Sequence, residues 1–198
     1  MAHLALHDQR AGVPPQTLNL LLLCLAFGQA PDTVITDSMV QHALEVGKRA
    51  KNPGNLGLRY TIKQPGLRDW NASVDVIARG PEARIAASSD PDLRVPDVIV
   101  VAQPKLPMDI PRYEGLTAVE AIWLEPRSGP IVRPSQVDTL ARRVQFFEAS
   151  LALYGMRAVF PLRALPRGEF DIVILLNNGR EHHEKVGDEQ RRRLLRGQ

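Results

Sequence analysis

The chain has 198 residues, 44% of them hydrophobic and 24% charged, which suits one globular domain able to bury a core. Its net charge is only +3, but the 25 cations divide into five Lys and twenty Arg, a skew towards the planar guanidinium that suits phosphate and carboxylate. The single cysteine, Cys24, excludes an intrachain disulfide and any cysteine-cluster zinc or iron–sulfur site, and aromatics at 5% argue against a base-stacking platform.

Residues 1–16 read as a loose arm ending in Pro14-Pro15. Thr17 caps an apolar segment from Leu18 to Ala30, with Gly28 as its stop. At 13 residues this segment is too short to span a bilayer as a helix. Two readings stay open: a buried core helix, or the apolar part of a secretory signal with small residues at Gly28 and Ala30. The first fits a cytoplasmic protein, to which a lone cysteine also points. The second fits an exported one, with residues 1–30 as its signal. Asp37 or Ser38 caps a second helix to about Ala50, with Met39, Val40, Ala43, Leu44 and Val46 inward and Glu45, Lys48 and Arg49 in solvent.

Residues 51–72 are rich in Gly, Pro and Asn and read as loop, with one extended piece around Leu58–Ile62. Strands are expected at Ser73–Ala78, Arg84–Ser88, Asp97–Ala102 and Thr117–Leu124. The spacing of Val137, Leu140, Val144, Phe147, Leu151 and Tyr154 predicts a helix over Ser135–Tyr154, capped by Ser135 with Asp138 and ended by Gly155. Strands follow at Arg157–Leu162 and Phe170–Leu176, then a charged, helix-prone tail from Gly179. The expected fold is α/β, a central mixed sheet flanked by helices in the order α-α-β-β-β-β-α-β-β-α. Residues 17–178 form its single domain and 179–198 a C-terminal helix or tail.

The chemistry-bearing residues are few. Asp97 and Glu120 each place one carboxylate in an otherwise apolar strand, which costs free energy unless the group is paired, hydrogen-bonded or metal-bound. The plainer alternative makes Asp97 a turn cap and Glu120 an outward residue of a half-exposed strand. Arg191, Arg192, Arg193 and Arg196 form the densest basic cluster. With Arg142 and Arg143 they offer a nucleic-acid surface, or simply a solvated helix end. His182-His183 reads as part of a solvated tail. No glycine-rich phosphate loop and no nucleophile motif is present.

Helix, strands, helix and strand, with Pro96-Asp97 heading one strand and Glu120 in Val-Glu-Ala-Ile on the next, resembles the PD-(D/E)xK nuclease superfamily. The resemblance covers residues 37–164, and Glu45 matches an extra acidic residue of some members. It implies Asp97 and Glu120 as Mg²⁺ ligands, Glu45 assisting, and hydrolysis of a phosphodiester by an activated water. Ile122 stands where that family carries its lysine, and arginine does not serve as a proton acceptor. The expected function is therefore a non-enzymatic interaction or assembly subunit with a degenerate nuclease-like core. It would bind a partner protein or a second copy, with nucleic acid as a further ligand and no membrane span. The alternative is an Mg²⁺-dependent nuclease acting on DNA or RNA.

Overall fold

The computed structural model describes residues 34–63, 73–105, 118–146 and 149–197. The N-terminal arm, the apolar segment with Cys24 and the signal reading attached to it lie outside these residues. Helix α1 spans Asp37–Arg49. Its cap is Thr36, one residue before the expected position, and the Thr36 side chain accepts from the Met39 amide. Strands β1 (Leu58–Lys63) and β2 (Ser73–Arg79) follow. Helix α2 then runs over Pro81–Ser88. Next come β3 (Asp97–Lys105), β4 (Val119–Pro126), β5 (Gln136–Phe146) and β6 (Ala149–Pro161). The chain closes with β7 (Phe170–Leu176), β8 (Glu181–Val186) and α3 (Asp188–Arg196).

The fold is mixed α/β, as its sequence indicates, but the strands form two sheets, both antiparallel. One has the order β1-β2-β3-β6-β5 and the other β4-β7-β8. They share a core. Val74, Val76, Val98, Val100, Ala158 and Phe160 of the larger sheet cluster with Ile122, Leu124, Phe170, Ile172, Ile174 and Leu176 of the smaller. Alternation explains the set: in β2 and β3 every second residue is buried, so one face of each strand turns to the core. Phe160 and Phe170, both fully buried, each contribute about 1.5–3 kcal/mol of apolar burial. Leu194 carries α3 into the same cluster, and a second, smaller cluster joins Val40 and Ala43 of α1 to Ile85 and Ala86 of α2.

Three expectations are corrected. Glu181–Val186, expected within a charged, helix-prone tail, is strand β8, held by its ladder to β7. The stretch Ser135–Tyr154, expected as a helix, belongs to the β5–β6 hairpin, paired from Gln136↔Val159 to Phe146↔Ala149. Its 3-4-3-4 apolar spacing coincides with a helical stripe, but β6 is held in the sheet by its ladder to β3, and β5 extends that ladder. Tertiary pairing overrides a weak local signal here. Gly155 is no helix stop. A Cβ there would stand 2.6 Å from the carbonyl oxygen of Ala102, so glycine lets β6 pass close to β3. The piece Arg84–Ser88, expected as a strand, is the second half of α2. Pro81 opens that helix at its first position, where a missing amide costs nothing.

Candidate interaction surface

The sequence-predicted carboxylates stand on separate elements. Asp97 opens β3 in the five-stranded sheet, on the face opposite Val98 and Val100. Burial pushes the Arg84 guanidinium of α2 below its usual range, and the charge of Asp97 partly offsets this. Glu120 lies in the other sheet. Val119 pairs with Leu176 and Ala121 with Leu175, so Glu120 is the extra, exposed residue of a β-bulge. Glu45, on the exposed side of α1, lies 3.4 Å from Lys48 and 3.6 Å from Arg49. Among the described residues no group of three or more His, Cys, Asp and Glu is arranged to hold a metal ion.

The basic residues also divide. Arg192, Arg193 and Arg196 are exposed on α3, while Arg191 is half-buried and donates to the Pro166 carbonyl. Arg142 and Arg143 are exposed near the far end of β5. His182 and His183, adjacent on β8, point to opposite faces of the smaller sheet. His183 is ringed by Glu125 at 3.4 Å, Glu181 at 3.5 Å and Asp171 at 3.7 Å. His182 and Glu184 share the core-facing side with buried Val186. Burial first, then Arg180 and His183, holds the His182 imidazole below its ordinary range. Burial and then Asp171 push Glu184 up. Across from them Tyr60 of β1 is pushed up to about 12, by burial and then by Glu184. The alternation of β8 was hidden because its side chains, Glu-His-His-Glu-Lys, show no apolar period.

Inside the helical layer, His42 Nδ1 of α1 lies 3.0 Å from Glu82 Oε2 of α2. Glu82 is the one buried charged side chain among the described residues. The contact joins the two helices, and the partner satisfies a carboxylate that burial alone would penalise.

Strand β5 lies at one edge of the five-stranded sheet. Among the described residues it has a neighbour on one side only, β6, and so presents a free edge in an eleven-residue strand. From Gln136 to Arg143 its side chains are exposed or half-exposed on both faces. Val137 is 48% exposed and Tyr154, across the hairpin on the same face, 47%. On the opposite face Asp138 accepts from Arg157 Nη1 at 2.6 Å and from Gln136 at 3.0 Å. Those two hydrogen bonds hold the Asp138 carboxyl below its usual range. A free edge offers unpaired backbone amides and carbonyls to another strand, and folded proteins normally protect it. The sequence hid this edge because the same residues spell a helical stripe.

No family model, no curated protein and no solved structure matches the chain. No helix among the described residues is long and apolar enough to cross a membrane.

Proposed function

We propose that this chain is a non-enzymatic interaction or assembly subunit that takes a partner strand along the free side of β5. The observation that carries the reading is the combination, among the described residues, of an unpaired β5 edge with exposure on both faces from Gln136 to Arg143. Strand addition of this kind draws affinity from main-chain hydrogen bonds and specificity from alternate side chains. Val137 and Tyr154 supply apolar contact on one face, Asp138 and Arg142 charge on the other. The nuclease alternative has less behind it, since Asp97 and Glu120 belong to different sheets and Ile122 occupies the lysine position.

The test is binding of extended peptides from a random array to the full chain. Peptides of alternating apolar and polar residues are expected to bind, and Leu140→Pro, which disrupts β5, to abolish the signal. If no peptide binds and the chain does not self-associate, the reading falls. Mg²⁺-dependent cleavage of plasmid or RNA that is lost in Asp97→Ala would restore the nuclease alternative.

A further inference from the structure

The charge order of β5 narrows the partner. Asp138 and Arg142 lie two residues either side of Leu140, on the same face of the strand. Asp138 is fixed in position by Arg157 and Gln136. Arg142 is exposed, and among the described residues no carboxylate lies within ion-pair distance of it.

We infer that β5 pairs with β5 of a second copy of this chain, antiparallel about a two-fold axis at Leu140. The inference rests on β5 being an interaction edge. A two-fold axis perpendicular to the sheet continues each face of one protomer into the same face of the other. It therefore pairs only residues on the same face, and Leu140 meets Leu140 of the partner subunit. Asp138 then lies opposite the partner subunit's Arg142, and Arg142 opposite the partner's Asp138, giving two symmetric ion pairs from one patch.

Neighbouring registers lack this match. An axis at Thr139 sets Asp138 against Leu140 and Arg142 against Gln136. An axis at Ala141 sets Asp138 against Val144 and Arg142 against Leu140. On the other face the Leu140 register pairs Thr139 with Ala141 and Val137 with Arg143, so like charges never meet. The charges that would protect the edge from indiscriminate pairing thus permit one self-complementary register.

The register is tested by cross-linking the full chain in a Cys24→Ser background. Leu140→Cys sets two thiols opposite each other with Cα atoms about 4.5–5.5 Å apart, within disulfide reach, and is expected to oxidise to a covalent dimer. Arg142→Cys, which meets Asp138 and not itself, is expected to form no covalent dimer. Sedimentation equilibrium gives the second reading. Arg142→Asp replaces two attractive contacts by two repulsive ones and is expected to weaken self-association roughly tenfold or more. Mixing Arg142→Asp chains with Asp138→Arg chains is expected to restore dimers. Equal cross-linking at positions 140 and 142, or self-association unchanged by Arg142→Asp, overturns the inference. A monomeric chain that still binds extended peptides at β5 overturns the inference alone. A chain that does neither overturns the proposed function as well.

Discussion

Gly47 of α1 stands directly against the backbone of Ala86 of α2: a Cβ added to Gly47 would lie 2.4 Å from the Ala86 carbonyl oxygen. Helix propensity alone favours alanine over a mid-helix glycine by about 1 kcal/mol. The close approach reverses that sign, because the obstructing atom is backbone and has no rotamer to change. Gly47→Ala is expected to destabilise the chain by about 1–3 kcal/mol, read as a lower urea midpoint. An unchanged or higher midpoint would show that the helices part without cost.

The same packing depends on the buried Glu82. Removing His42 leaves that carboxylate without its 3.0 Å partner in a site almost closed to water. His42→Ala is expected to cost about 1–3 kcal/mol. The double variant with Glu82→Gln is expected to recover part of the loss, since an amide is cheaper to bury than a charge. A double-mutant cycle in chemical denaturation checks both, and strict additivity would mean the two side chains do not interact.

Tyr60 presents the opposite case. Its hydroxyl is buried and, among the described residues, finds no hydrogen-bond partner. Tyr60→Phe keeps the ring in the core and removes only that group. The expected change is from neutral to about 1 kcal/mol of stabilisation, measured by thermal unfolding. A loss above that range would indicate that the hydroxyl has a partner.

The pair His182 and Glu184 is expected to give the fold an acid response with two opposed parts. The folded His182 pKa lies below its ordinary 6.5. Just under pH 6.5 the unfolded chain therefore binds more protons than the folded one, and stability declines as pH falls through that window. The folded Glu184 pKa lies above its ordinary 4.5. Its contribution is fully present below pH 4.5 and is lost as pH rises through the raised value. His182→Gln is expected to flatten the decline below pH 6.5, and Glu184→Gln to remove the opposing slope. Urea titrations across the acid range separate them. Parallel curves for wild type and His182→Gln would contradict the assignment.

Much of the architecture is legible in the sequence where a local rule and a tertiary demand agree. Phe170–Leu176 reads as a strand covered on both faces because Val173, Ile174, Leu175 and Leu176 run apolar without a break, and β7 occupies that range in the middle of its sheet. Asp37–Arg49 carries a capped amphipathic pattern and is a helix. The hairpin of β5 and β6 was not legible, since its spacing satisfies a helix and the pairing that decides the matter comes from β3, far away in sequence. The candidate surface was hidden for the same reason: an edge exists only once the sheet is known. Composition alone singles out Arg142 and Arg143, and the significance of Arg142 beside Asp138 appears only when both share one face of a strand.

The free side of β5 as a contact surface is tested most directly by amide hydrogen exchange on the full chain, compared between dilute and concentrated solution. Slowed exchange is expected in Gln136–Arg143 at high concentration, with β7 unchanged and the slowing lost in Arg142→Asp. Exchange in β5 that is fast and identical at both concentrations, and unaltered by saturating extended peptide, would contradict it.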